Sequence, residues 1–246
     1  MPKIYLSPSL QEYNPYVDGG NEEYYMNLIA DAMEPYLNSS GIQFTRNEPS
    51  QKLSQAIAQS NAGNYDLHLA LHSNAAPEGQ YGQVRGVLVF YYPGSAQGQR
   101  AANLVANGLK TIYPLPNLVR AEPTTSIGEV RRVRAPSVFL ELGYHDNPDD
   151  AAWVKNNLDA IARSIVLSLT EYFGLPFLEP QAPRPAVVDV SWGYLNIRDK
   201  PDTRSAVIAR AYDGARLTVL NQWEGWYVVR FDSVVGWASG DFITLL

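Results

Sequence analysis

The feature that most constrains this chain is a change of pattern at a proline-rich stretch, Leu175 to Pro185, which holds Pro176, Pro180, Pro183 and Pro185. Proline removes a backbone donor and biases the residue before it towards extended geometry, so such a run reads as a stiff linker. Before it, apolar strand-like runs alternate with amphipathic helical patterns. After it, short β-type runs are punctuated by Gly, Asp and Asn. At 246 residues, two domains are expected, with boundaries at 1–174 and 187–246 and a linker over 175–186.

In the first part, Ile4–Leu6 reads as a strand ending at the Ser7-Pro8-Ser9 turn. Asn21 can cap a helix whose first turn carries Glu22 and Glu23, well placed for the helix dipole. Met26, Ile29, Met33 and Leu37 then recur at three- and four-residue spacing, the mark of one buried face, until Gly41 stops the helix. Strands are expected at Ile42–Arg46, Leu67–His72, Gly86–Tyr92 and Ser137–Leu142. Helices are expected from Ser50 to Asn61, from Ser95 to Ile112, and from Pro148 to Phe173. This alternation predicts an α/β domain with a mostly parallel sheet flanked by helices. In the second part, Tyr194–Arg198, Arg216–Asn221, Trp226–Phe231 and Gly236–Ala238 read as strands of a small all-β barrel.

Composition excludes several classes. A net charge of −6 argues against general nucleic-acid binding, which needs clustered Lys and Arg against phosphates. The absence of cysteine removes disulfides, thiolate metal sites and a cysteine nucleophile, and is compatible with either redox compartment. Hydrophobic residues make up 46% and charged residues 18%, enough for a real core, but no stretch of about 20 apolar residues spans a bilayer. The N-terminus lacks the apolar core of a signal peptide. The reading is therefore of a chain that stays in the cytoplasm until lysis or unconventional export releases it.

Ligands of open parallel sheets bind at the carboxyl ends of strands. Gln11 follows the first strand, His72 ends the third, Glu141 ends Val138–Leu140, and Glu23 opens the first helix, so four segments can meet on one rim. Glu141 stands inside an apolar run, where a carboxylate is costly unless it is paired or used. His68 and His72 share a strand face, but four residues at ~3.3 Å each separate their backbones by ~13 Å. His68 is accordingly read as a packing or hydrogen-bonding residue. Arg131, Arg132 and Arg134 read as a solvated or substrate-facing loop.

The segments Glu23–Ala30, Gly41–Arg46, Tyr65–Ala75, Gly86–Tyr91 and Val138–Pro148, in that order and spacing, resemble the zinc-dependent N-acetylmuramoyl-L-alanine amidases of the amidase-3 type. The likeness covers about residues 3–174. It implies hydrolysis of the amide between N-acetylmuramic acid and L-alanine in peptidoglycan, with Zn2+ as cofactor. It places Glu23 and His72 at metal-ligand positions and Glu141 at the catalytic one, with Asn74 in the histidine's His-x-Asn motif and expected at the substrate. An open zinc site polarises the carbonyl and acidifies water, and a neighbouring carboxylate moves the proton. The family's first ligand is a histidine in an Asp-Pro-Gly-His-like turn. Here that turn is Ser7-Pro8-Ser9-Leu10-Gln11. Gln11 is assigned the vacant corner as a weak amide donor, ahead of Glu12, and His145 stands in reserve.

Leu195–Pro201, Gly214, Gly225–Val229 and Gly236–Ala238 resemble bacterial SH3 domains, which commonly bind cell-wall peptide. Trp226 and Trp237 are expected in the barrel core, and Trp192 and Tyr194 on a wall-binding surface. The expected whole is a peptidoglycan hydrolase of autolysin or endolysin type acting at the bacterial cell wall. The alternative is a non-catalytic wall-binding protein on a degenerate amidase scaffold.

Overall fold

The computed structural model describes residues 1–246. Its contacts divide the chain into two compact units. One comprises Lys3–Met33 with Phe44–Tyr172; the other gathers Phe173–Leu246 with Met1–Pro2 and Glu34–Gln43. No helix is long and apolar enough to cross a membrane.

The first unit is built on a sheet whose opening strand, β1 (Lys3–Pro8), is almost wholly buried. It leads through a long loop into α1 (Glu22–Ser39), which lays Met26, Ile29, Met33 and Leu37 into the core as the periodicity requires. Then follow β2 (Gln43–Arg46), α2 (Leu53–Ala62), β3 (Leu67–Asn74), β4 (Val87–Tyr91) and α3 (Ala96–Lys110). Ser95 caps α3 by accepting from the Gly98 amide. The unit closes with β5 (Val119–Pro123), the one-turn α4 (Gly128–Arg131), β6 (Ser137–Tyr144), α5 (Pro148–Asn156) and α6 (Leu158–Phe173).

The strand order is β2-β1-β3-β6-β4-β5. Pairings β1–β3, β3–β6 and β4–β5 are parallel, and β4–β6 is antiparallel, so the sheet is mostly parallel as expected. The central strands β3 and β6 are buried nearly throughout, because helices cover both faces of a sheet of this type. Three details depart from the sequence reading. The segments β5 and α4 had no periodicity to reveal them, and the single long helix expected after Pro148 breaks at Asn157, whose side-chain amide donates back to the Trp153 carbonyl.

The other unit holds an antiparallel seven-stranded sheet. Its strands are β7 (Arg184–Val188), β8 (Tyr194–Arg198), β9 (Val207–Tyr212), β10 (Arg216–Trp223), β11 (Trp226–Phe231), β12 (Val234–Ser239) and β13 (Ile243–Leu245). The order is β13-β7-β10-β11-β12-β8-β9. Arg184 and Pro185 of the proline-rich stretch thus already pair with β10, and Pro185 sits where a strand can spare a donor. Ile197, Val219, Val229 and Ala238 form the core. Trp237 is fully buried but not in that core, contrary to expectation: side chains alternate along β12, so Val234 and Ala238 face the core while Trp237 faces the other way, against Gly41; Trp226 is only half-buried at the end of its strand.

Candidate active site

The chemistry-bearing side chains of the first unit meet where β1, β3 and β6 end. Register sets the arrangement: His72 on β3 lies directly opposite Glu141 on β6, so both point to one face of the sheet. A register shift between His72 and Asn74 then bends β3 out of the ladder. The end of β6 is pinned by buried Asp150, which accepts from the Tyr144 and Gly86 amides at 3.0 Å each. Gly143, with φ +80°, permits that approach, since a Cβ there would stand 3.1 Å from Asp150.

The loop from β1 to α1 supplies two more groups. It doubles back through a bridge between Pro15 and Asn21, and Glu22 N–H donates to the Asn14 carbonyl at 3.0 Å. Asn21 caps α1 by accepting from the Tyr24 amide at 2.8 Å, as expected. This fold of the loop brings Gln11 and Glu22 together over His72. His72 Nδ1 lies 2.7 Å from Glu22 Oε1 and 3.1 Å from Gln11 Nε2. Asn14 Nδ2 donates to Glu22 Oε2 at 2.6 Å, and Gln11 Oε1 accepts from Asn14 and from Tyr13.

The structure therefore brings Gln11, His72 and Glu141 together, but the helix carboxylate beside them is Glu22 rather than Glu23. Glu22 is four residues before Met26, on the buried stripe of α1, and is only 1% exposed. Glu23 is turned about 100° further round the helix and is half-buried. Glu12 is exposed, as are Arg131, Arg132 and Arg134. His145 is held elsewhere, its Nδ1 3.2 Å from both Ser73 Oγ and the Ser73 carbonyl. Asn74 stands half-buried beyond the bend, its side-chain oxygen accepting from the Ala75 amide.

One participant escaped the sequence reading. Glu129, buried on α4, reaches His72 Nε2 at 3.3 Å and His68 Nε2 at 3.1 Å, bridging two imidazoles whose backbones are far apart. A charged residue in a four-residue helix carries no periodic signal of burial. His68 is the hydrogen-bonding residue expected of it, with Nδ1 2.9 Å from Ser60 Oγ.

The electrostatics follow from these contacts. Burial pushes the His72 pKa down, but Glu129 and Glu22 outweigh it and raise the group to about 10. Burial likewise pushes Glu22 and Glu129 up, yet the imidazole contacts win and hold both below the ordinary carboxylate range. Glu141 is the opposite case. Burial lifts it to about 8, with the His72 charge opposing, and its Oε2 is sealed from solvent without a hydrogen-bond partner. An unpaired buried carboxylate costs free energy that a purely structural site would have no reason to carry.

The donor set suits a divalent cation of the zinc type: an imidazole nitrogen, a carboxylate oxygen and, after a half-turn of its amide, the Gln11 oxygen. Only two of these are strong donors, and no third His, Asp or Glu joins them in a metal-holding group. His72, Glu22 and Gln11 are thus the residues that could hold such an ion, with His72 and Glu22 in direct hydrogen-bond contact with each other. A cavity of about 380 Å³ adjoins it, lined by Leu10, Gln11, Tyr13, Lys52, His72 and Glu129 among others.

Fold and site together define an α/β domain with a polar centre at its strand ends, followed by a small β-barrel. The family model for N-acetylmuramoyl-L-alanine amidases matches residues 11–171, and that for bacterial SH3 domains matches 193–244. The chain belongs to the N-acetylmuramoyl-L-alanine amidase family and carries a bacterial SH3 domain behind the amidase domain. Solved structures agree in fold. The amidase AmiC2 of Nostoc punctiforme is 17% identical with a TM-score of 0.61, over 70% of this chain and 97% of that one. The catalytic domain of CwlV from Bacillus (Paenibacillus) polymyxa is 16% identical with a TM-score of 0.61, over 72% and 100%. The catalytic domain of the CD27L endolysin, which targets Clostridia difficile, is 22% identical with a TM-score of 0.57, over 70% and 98%. No curated protein sequence matches the chain.

Proposed function

We propose that the protein is a zinc-dependent N-acetylmuramoyl-L-alanine amidase that hydrolyses the bond between the lactyl group of muramic acid and L-alanine, tethered to peptidoglycan by its SH3 domain. The observation that carries this reading is the convergence of Gln11, Glu22 and His72 beside Glu141, whose buried Oε2 has no partner. Glu22, His72 Nδ1 and the Gln11 oxygen would hold the metal, which when bound supplies Lewis acidity at the scissile carbonyl and the attacking water. This assignment moves the helix ligand from Glu23 to Glu22.

The chain's own residues do the rest. Glu141 takes a proton from the attacking water as the C–O bond forms. It returns that proton to the departing L-alanine nitrogen as the C–N bond breaks. Glu129 and Phe139 hold the His72 ring, the latter stacked at a centroid distance of 4.2 Å. Tyr13, 73% exposed, and Lys52 stand at the mouth of the adjoining cavity, where a sugar ring or a peptide carboxylate can be met.

In the SH3 domain, Trp192 is 87% and Tyr194 40% exposed. With Val190, Ser191, Leu195 and Phe242 they line a depression of about 490 Å³, and the Arg210 guanidinium lies 4.5 Å over the Tyr194 ring. Flat aromatic faces of this kind suit peptide amides and sugar rings. Tethering raises the concentration of wall substrate at the amidase domain.

The test is elemental analysis of protein purified without chelator, with muropeptide digestion on the same sample. Stoichiometric zinc with newly freed lactyl and L-alanine ends is the expected result. No metal, and no cleavage after zinc is restored, would leave a wall-binding protein on an amidase scaffold.

A further inference from the structure

Consecutive residues of a strand point to opposite faces, so a strand buried at successive positions is covered on both sides. In β12, Val235, Gly236, Trp237 and Ala238 are all buried, and in β11 both Val228 and Val229 are. Val229 and Ala238 belong to the barrel core. Val228 stands opposite Trp237, and Arg230 opposite Val235, so these four share the outer face. What covers that face is the chain's own segment Glu34–Gln43, the end of α1 and the residues after it, which lies in the same compact unit. Trp237 packs so closely on Gly41 that a Cβ there would stand 2.6 Å from its Nε1, and Gly41, with φ +72°, is where α1 turns off. Arg230 Nη2 donates to Asn38 Oδ1 at 3.0 Å, and Gln43 Nε2 to the Val235 carbonyl at 3.4 Å. The proline-rich stretch is fixed over the same segment. Leu178 N–H donates to Ser40 Oγ at 3.1 Å, Phe177 stacks on Tyr36, and Asn221 Nδ2 donates to the Glu179 carbonyl at 2.7 Å.

We infer that the outer face of β11 and β12 is an intramolecular interface, by which the barrel caps the C-terminal ends of α1 and α6 and so forms part of the framework of the amidase domain. The two helices need such support. Helix α1 runs through Pro35, which cannot donate to the Asp31 carbonyl, and only Tyr36 to Ser39 follow it. A single turn beyond a proline does not hold itself in water. Yet Tyr36, Leu37, Ser39, Ser40 and Ile42 are all buried. Neither α1 nor α6 has a basic residue in its own last turn to answer its free carbonyls. The barrel supplies both cations. Arg230 reaches Asn38 in the last turn of α1, and Lys200 Nζ donates at 2.9 Å to the carbonyl of Phe173, the last residue of α6. Because α1 is one continuous helix with Glu22 in its first turn, the barrel steadies the element that presents Glu22. The inference rests on the fold alone and holds whatever occupies the candidate site.

Amide hydrogen exchange of the full chain, read by mass spectrometry, follows each element separately in the parent and in Trp237→Ala, Gly41→Ala and Lys200→Gln. Trp237→Ala removes a side chain that lies outside the barrel core, and exchange over Tyr36–Ile42 should speed up at least ~10-fold. Gly41→Ala alters nothing within the barrel, yet β11 and β12 should lose protection. Lys200→Gln removes only a half-buried cation, and the last turn of α6 should exchange about two- to fivefold faster. The last variant keeps the test sharp if Trp237→Ala opens the whole barrel. Barrel strands that exchange freely in Trp237→Ala, while Tyr36–Ile42 keep the protection of the parent, would overturn the inference. So would ends of α1 and α6 that exchange at the rates of the parent in both Trp237→Ala and Lys200→Gln.

Discussion

Replacing Glu141 by Gln separates two consequences of one buried carboxylate. In the folded, metal-free protein burial raises this group from 4.5 to about 8, and its Oε2 has no hydrogen-bond partner. The folded state therefore binds the proton more tightly than the unfolded chain, so its contribution is fully present below about pH 4.5. It is lost as pH rises through about 8, because ionisation must then occur inside the fold. A shift of that size corresponds to about 5 kcal/mol at full development. Glu141 as a whole is only half-buried, so solvent screening reduces this to about 2–4 kcal/mol. Gln is nearly isosteric and cannot ionise. Glu141→Gln should therefore match the parent in stability near pH 4 and exceed it by about 2–4 kcal/mol near pH 9, while hydrolysis falls at least ~100-fold. The assay is guanidinium unfolding in the presence of chelator at several pH values, followed by far-UV circular dichroism, whose helical signal comes from the amidase domain. Parallel muropeptide digestion uses zinc-loaded protein. Equal stability of the two proteins near pH 9 would refute the reasoning about burial, and undiminished hydrolysis would refute the catalytic assignment.

Glu22→Ala should abolish stoichiometric zinc and cleavage, whereas Glu23→Ala should leave both within about twofold of the parent, because only Glu22 lies on the buried stripe of α1; elemental analysis of the two variants checks this. Zinc binding should strengthen by about tenfold per unit of pH up to about pH 10, since the metal displaces a proton that Glu129 and Glu22 hold on His72, and calorimetry in two buffers should count that proton. Gln11→His replaces the neutral corner with imidazole and should tighten zinc about 10-fold or more, measured by chelator competition. Trp192→Ala should weaken sedimentation with purified walls by about 1–2 kcal/mol without lowering the stability of the barrel, because the indole is almost wholly exposed.

The order of elements was legible because each carried its own local signal. The stripe Met26, Ile29, Met33, Leu37 forms the buried face of α1, Asn21 caps it, and the apolar runs of β3 and β6 are the central strands. What escaped were elements too short to show a period. Strand β5 alternates weakly at the edge of the sheet, α4 has four residues, and the break at Asn157 depends on a side chain returning to its own helix. Trp192 is exposed as expected, whereas Trp237 is buried outside the barrel core, on the face of β12 that meets Gly41, and Trp226, at a strand end, is only half-buried.

The site was legible in its strands and less so in its helix and loops. His72 and Glu141 could be placed together because a parallel register fixes which residues share a face. The resemblance places Glu23 at the helix-ligand position, but the same helix holds better information. Counting back from Leu37 through Met33, Ile29 and Met26 leads to Glu22, so the core stripe itself names the inward carboxylate. Glu129 had no such clue: it reaches His72 only because α4 folds over the strand ends, a tertiary fact. Its presence changes the meaning of the departure at Leu10 and Gln11. A scaffold that had merely lost a ligand would be free to relax around the gap. Here Gln11 is held by Tyr13 and Asn14, Glu22 by Asn14, and His72 between two carboxylates. The turn that lacks the expected histidine is thus closed by paired side chains rather than left loose around a gap.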